Sequence, residues 1–302
     1  MDFKDLSYVI AIAKHHNITK AADSLYLSQP TLTKFLQKLE KDLNLKLFKK
    51  LGNKYVLTYA GERYVNSATD ILNKKKSLDA EMNDIIKNNV GILKIAYPMM
   101  RSIYAIPGTV PAFNKVFPNV VVDLKEADSL ILEDYLLQGK TDLAFFNLPI
   151  INPNLDYQLI SHEEIVLIVS ANHPLAKSGT QKKGLKHPWI DLQKFKTEDF
   201  IMQTHSQRTW QSVKTILHDN NMTPNIKLTT SNISAAVELV ADGYGAYFIT
   251  ASHLKHLRPS KKIACFSIGE MAYPIDFVVA YRKGSYLSYY EKEYINIVKK
   301  FF

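Results

Sequence analysis

Three features of this 302-residue sequence predict an α/β chain in three parts: apolar stripes at helical spacing and a hairpin signal up to residue 58, one helical seam from 59 to 89, and strands alternating with helices from 90 onward. At 46% hydrophobic and 22% charged residues the composition is that of a soluble globular protein, and the length allows two or three domains with sizeable cores. A formal net charge of +9 points to an anionic partner. Residues 1 to 88 hold 15 Lys+Arg against 10 Asp+Glu, and between 29 and 58 seven lysines face only Glu40 and Asp42. The positive excess of the N-terminal part is therefore carried by one helix and the segment after it.

Phe3, Leu6, Val9, Ile10 and Ala13 fall on one face of a first helix that stops at the polar His15-His16-Asn17. Adjacent histidines do not share a helix face, so a polar helix end is expected there and no metal site. A short second helix, from about Lys20 to Tyr26, carries Ala21, Ala22 and Leu25, small enough for the next helix to cross closely. That third helix opens with Ser28 as N-cap and Pro30 in its first turn, where a missing N–H costs nothing. Leu32, Phe35, Leu36, Leu39 and Leu43 make its apolar stripe. Its opposite face presents Gln29, Thr31, Thr33, Lys34, Gln37, Lys38 and Lys41, side chains suited to base edges and phosphates, which makes it a candidate recognition helix. An ordinary helical hairpin with a solvated polar face is the competing reading.

Asn44 suits the left-handed conformation of a helix C-cap. Gly52-Asn53, between Leu47-Phe48 and Val56-Leu57, predicts a β-hairpin whose turn is flanked by Lys49, Lys50 and Lys54, a basic wing. From Thr58, steps of three and four through Gly61, Tyr64, Ala68, Ile71, Lys75, Leu78, Met82 and Ile85 describe a coiled-coil seam. Such a stripe needs cover, either from a partner helix, most simply of a second copy, or from its own chain. Ala68, Ile71, Leu78 and Met82 are the candidate dimer contacts.

The run AADSLYLSQPTLTKFLQKLEKDLNLKLFKK, followed by VLTYAG, resembles the LysR-type transcriptional regulators in order and spacing over about sixty residues. Departures are Thr33-Lys34 where that family usually has Ser-Arg, Asn44 for its usual Gly, and Lys50 and Lys54 for its wing arginines. A lysine keeps the charge but loses the bidentate fork, so phosphate contact is better supported at Lys34 than base readout. The resemblance implies a winged helix-turn-helix over 1–58 that binds double-stranded promoter DNA through Gln29, Thr31, Thr33, Lys34, Lys38, Lys50 and Lys54, and a linker and dimerisation helix over 59–89. A homodimer or homotetramer follows, with RNA polymerase as a further candidate partner.

Past Asn88-Asn89 the texture changes at Val90-Gly91. Strands are expected at 92–97, 120–125, 142–147, 164–170, 199–202, 226–230, 246–250 and 276–283, and helices near 103–117, 130–138, 207–219, 234–242 and 287–300. The resemblance continues more weakly through AIPGTVPAFNKVFP, LLQGKTDLA, NHPLA and VADGYGAYFI. It implies an effector-binding domain over 90–302 with two subdomains like those of a periplasmic binding protein, I at 90–161 and 266–302 and II at 162–265.

Two strand-to-helix turns are polar: Arg101-Ser102, and Gln203-Thr204-His205-Ser206-Gln207. Thr204 with Gln207 has the spacing of a capping box, which does not exclude a ligand role. By resemblance these turns face the inter-subdomain cleft, making Arg101, Ser102, Asn147, Thr204, Gln207 and Asn232 candidate effector contacts. Helix N-termini and Arg101 favour a small anion such as a carboxylate. Met99 and Met100 either line the pocket or pack in the core, His205 reads as a surface histidine, and His253 and His256 read as a solvated helix face.

Cys265 has no partner for an intramolecular disulfide, which excludes a peroxide sensor of that kind, and no Cys/His cluster has zinc spacing. The start lacks an apolar stretch and no run reaches the length of a membrane span, so a cytoplasmic protein without cofactor is expected. No nucleotide-binding, zinc-protease or nucleophile-elbow motif is present. The leading expectation is a ligand-responsive DNA-binding regulator and not an enzyme; the alternative is a small-molecule binding protein or enzyme whose N-terminal helices serve only assembly.

Overall fold

The computed structural model describes residues 2–52, 54–85, 90–205, 207–269 and 272–302. The expected turn residue Asn53, the boundary pair Asn88-Asn89 and the turn position Ser206 lie outside these, as does the side chain of Ile85. The chain divides into two compact units, one essentially residues 1–87 and the other 88–302 apart from Ser285–Leu287.

The first unit contains α1 (Phe3–His15), α2 (Ile18–Ser24), α3 (Gln29–Leu43), β1 (Phe48–Leu51), β2 (Lys54–Leu57) and α4 (Tyr59–Ile85). Asp2 and Asp5 form a capping box at the start of α1, and Asn17 caps α2, whose start at Ile18 precedes the expected Lys20. Ser28 accepts from the Thr31 N–H, and Asn44 ends α3 at φ 51°. Val9, Ile12, Ala21, Ala22, Leu32, Leu36, Leu47 and Phe48 make the core. Glu40, buried at 7% exposure, accepts from the backbone N–H groups of Leu47 (2.9 Å) and Phe48 (3.1 Å), which pins the strand entering the wing to α3. Gly61 lets α4 meet that strand, since a Cβ there would lie 2.0 Å from the Leu47 carbonyl oxygen.

The second unit contains β3 (Gly91–Tyr97), α5 (Met99–Val116), β4 (Val120–Glu126), α6 (Ser129–Leu137), β5 (Leu143–Asn147), β6 (Leu155–Ser170), β7 (Asp199–Gln203), α7 (Thr209–Asp219), β8 (Asn225–Thr230), α8 (Ile233–Ala241), β9 (Ala246–Thr250), the single turn α9 (Ala251–Leu254), β10 (Ile263–Phe266), β11 (Tyr273–Arg282) and α10 (Tyr289–Phe301). One sheet runs β4-β3-β5-β11-β6-β9-β7-β8, with β10 on β6. The β3–β4, β3–β5, β7–β8 and β7–β9 pairs are parallel, the rest antiparallel. The first part of β6 pairs with β11 and its last residues with β9 and β10, so this one strand serves both halves of the sheet.

Four expectations are corrected. Strand β6 starts at Leu155, not residue 164, because its first half alternates half-buried and exposed residues and carries no continuous apolar run. Strand β10 adds a short pairing that was not expected. Helix α5 starts at Met99, with the Pro98 carbonyl accepting from the N–H groups of Arg101 and Ser102, so these two residues lie in its first turn and not in a loop before residue 103. Helix α7 starts at Thr209, two residues after the expected 207.

Candidate functional site

In the first unit, the side of α3 away from the core carries Gln29, Thr31, Lys34, Gln37 and Lys38, all exposed, with Thr33 half-buried. The Thr33 hydroxyl donates to the Gln29 carbonyl (2.9 Å) and accepts from the Gln29 amide (2.9 Å), while Thr31 and Ser28 share a 2.7 Å hydroxyl contact. These contacts hold the first turn of α3 in a fixed polar array. Lys50 and Lys54 are exposed on β1 and β2. Among the described residues Lys34, Lys38, Lys50 and Lys54 make no ion pair, so their charge is uncommitted.

The seam of α4 splits. Ala68 is only 1% exposed and lines an apolar groove together with Ile71. Ile71, Leu78 and Met82 are 40%, 55% and 43% exposed. The groove, of about 470 Å³, is lined by Leu6, Leu43, Leu45, Tyr59, Tyr64 and Ile71 among others.

In the second unit, Arg101 is 1% exposed and fully engaged. Its guanidinium donates to both oxygens of Glu163 (2.7 and 2.9 Å) and to Asn147 Oδ1 (3.0 Å), and lies 4.0 Å from the centre of the Phe277 ring. Burial acts against both charges. Burial is the largest single influence on each, but for Glu163 the Arg101 charge, its hydrogen bonds and those of Asn147 together hold the carboxyl below its ordinary range, and for Arg101 the Glu163 charge, Tyr104 and their hydrogen bonds together raise the guanidinium. His253, expected in solvent, is 6% exposed and its Nδ1 shares a 3.1 Å contact with the Tyr104 hydroxyl; burial, then the Arg101 charge, push it down to about 3. His256 stacks on Tyr104 at 3.9 Å.

A cavity of about 50 Å³ lies beside this network, lined by Pro98, Met100, Arg101, Ser129, Asn147, Gln207, Arg208, Thr209, Ile233 and His253. Of the expected effector contacts, Arg101, Asn147 and Gln207 line it; Ser102, Thr204 and Asn232 do not. Ser102 is buried and donates to the Met99 carbonyl (2.8 Å) and to Glu126, and Asn232 caps α8 by accepting from the Ala235 N–H (3.0 Å). Thr204 and Gln207 meet through the backbone, Gln207 N–H to Thr204 oxygen (3.1 Å), and no capping box forms because the helix begins later. Met100 lines the cavity, whereas Met99 is 67% exposed. His205 is exposed, its ring 4.5 Å from that of Trp210.

The residue missed in the sequence is Arg208. It is 4% exposed, stands at the N-cap of α7, lies 4.4 Å from the Phe146 ring centre and pairs with Glu133 on α6. Glu133 also accepts from the Ile151 and Asn152 N–H groups. Arg208 Nη2 serves Glu133 and the Ser129 carbonyl, but Nε and Nη1 are buried without a partner among the described residues. Burial pulls the Arg208 guanidinium below its ordinary range, and Glu133 offsets only part of that. Cys265 is apart from this site; burial pushes its thiol up to about 12.

The comparisons with known proteins cover both units. Residues 3–62 match the family described as "Bacterial regulatory helix-turn-helix protein, lysR family", and residues 87–302 match "LysR substrate binding domain". The HTH-type transcriptional regulator YcgK of Bacillus subtilis is 28% identical over 254 residues, 81% of this chain and 78% of its own length. Full-length OxyR from Pseudomonas aeruginosa is similar at a TM-score of 0.75 and 20% identity, covering 100% of this chain and 94% of its own. CbnR, in a complex with its target DNA, is similar at a TM-score of 0.63 and 21% identity, with 100% of both chains covered.

His253 sets a pH dependence. An ordinary histidine protonates near 6.5 and the folded one near 3, so between these values the unfolded chain binds more protons and stability falls as pH is lowered. Its contribution is up to about 1.4 kcal/mol per pH unit. Urea melts of the wild type from neutral pH to about pH 5 should show this slope, and His253→Gln should flatten it. Equal slopes for both would remove His253 as the source.

Proposed function

Because the chain belongs to the LysR-type transcriptional regulators, with a DNA-binding and an effector-binding domain, we propose that α3 and the β1–β2 wing contact promoter DNA and that a small anionic metabolite in the α7-side cavity modulates that binding. Residues 1–58 are assigned to the winged domain, 59–89 to the linker helix and 90–302 to the effector domain, with the crossover between subdomains near 162 and the return near 265. The compartment of action is the cytoplasm, where promoter DNA is found.

The DNA reading is supported by the uncommitted lysines around the polar array on α3. Lys34, Lys38, Lys50 and Lys54 meet phosphates, while Gln29, Thr31 and Thr33 stand where base edges would lie. Alanine at Thr33 and Lys34 should weaken binding to a specific operator fragment while the circular dichroism stays unchanged. Lys50→Ala or Lys54→Ala should weaken binding to every sequence and lower the salt slope by about 0.9 per lost phosphate contact. Wild-type operator affinity in the Thr33/Lys34 variant would remove α3 from that role.

Two half-sites need two winged domains, and the exposed Ile71, Leu78 and Met82, with the apolar groove that Ile71 and Ala68 line, support α4 as the contact with a second copy. The pair Ile71→Asp and Leu78→Asp would bury unpaired charges there and should yield monomers in sedimentation. A double variant that still sediments as a dimer at micromolar concentration would move the contact elsewhere.

The single observation that carries the effector reading is Arg208: a buried guanidinium with two N–H-bearing nitrogens unmatched, lining a cavity at a helix N-terminus. An acceptor supplied by a carboxylate would complete it. Propionate should raise the Tm of the protein, and the isosteric neutral propionamide should not. Equal shifts from the two would end the anion reading.

A further inference from the structure

The anion reading leaves one buried atom at the same cavity unexplained, and it is of the opposite kind. Gln207 Nε2 donates to the Ser231 carbonyl at 2.8 Å, which fixes the amide orientation, because a flipped amide would set two acceptors against each other. Gln207 Oε1 is then an acceptor, buried and without a partner. Its neighbour Arg208 contributes Nε and Nη1, donors that are also buried and unmatched. Both residues line the same space of about 50 Å³. Native proteins leave few buried polar atoms unpaired, and three on two consecutive residues facing one cavity mark a place where a ligand completes the pairing.

Resting on the anion reading, we infer that the effector is a small carboxylate bearing a hydrogen-bond donor on the carbon next to the carboxylate, an α-hydroxy or α-amino acid: the carboxylate answers Arg208 and the hydroxyl or ammonium answers Gln207 Oε1. The donor sits close to the carboxylate because Gln207 and Arg208 line one space of only about 50 Å³. The remainder of the ligand is short, since the cavity exceeds the roughly 10–15 Å³ one water needs by only a few-fold. Its apolar part meets Met100, Ile233 and Pro98. The charge balance agrees with a ligand that is not a multiple anion, because Arg101 and Arg208 each already face a glutamate.

Calorimetry of the full-length protein with lactate, alanine and propionate tests this. Lactate or alanine should bind on the order of tenfold tighter than propionate, and which of the two does so tells hydroxy acid from amino acid. In Gln207→Met that preference should vanish. Equal wild-type affinities for all three would overturn the donor inference and leave the anion reading standing. Binding of none of the three, together with equal Tm shifts from propionate and propionamide, would overturn both. A preference unchanged in Gln207→Met would also overturn the inference, since the donor would then be answered elsewhere.

Discussion

The buried Arg101–Glu163 pair is the contact on which the C-terminal unit depends. It joins the first turn of α5 to the middle of β6, with Asn147 at the end of β5 and Ser252 on α9 completing the hydrogen bonding, and Phe277 and Phe302 covering the guanidinium. Neither side chain exceeds 5% exposure. Two ions in such surroundings are held only because nearly every donor has an acceptor; removing one partner from a pair of this kind costs about 3–5 kcal/mol. The long strand β6, which pairs with β11, β9 and β10, is therefore anchored at its midpoint.

Arg208 shows the same chemistry left incomplete. Both arginines are buried, face a glutamate and lie against an aromatic ring. Arg101 has two carboxylate oxygens and an amide oxygen; Arg208 has one carboxylate oxygen and one carbonyl. That difference is what the proposal of a ligand at Arg208 rests on. The sequence marked Arg101, which lines the cavity, and left Arg208 an unmarked helical position.

The N-terminal unit was legible because its determinants are local. Ser28, Pro30, Asn44 and Gly52 act within a few residues of themselves, and the stripe of α3 is a matter of spacing. The seam of α4 was read as uniform because periodicity says which face is apolar but not what covers each turn; Ala68 is covered at home and Leu78 is not. In the second unit the decisive partners are remote, 62 residues apart for Arg101 and Glu163 and 75 for Arg208 and Glu133. No local pattern encodes such a pair. His253 was misread for the same reason, since its burial depends on Tyr104 and on the helix packed above it.

The path of β6 and β11 has a consequence for how the protein is made. Strands β6 through β10 are consecutive in the chain, so their pairings can close on the ribosome as soon as these residues have emerged. Those of the early strands cannot all close: β5 lacks β11 until residues 273–282 exist, and α5 lacks part of its cover until α10 brings Tyr294 to the Thr109 hydroxyl and Phe302 to Arg101. Strands β3, β4 and β5, translated early, wait with an unpaired edge through the synthesis of more than a hundred further residues. Vectorial synthesis thus makes the earliest strands of this domain the last to be sealed, and the interval before sealing is when a chaperone or a neighbouring nascent chain meets that edge.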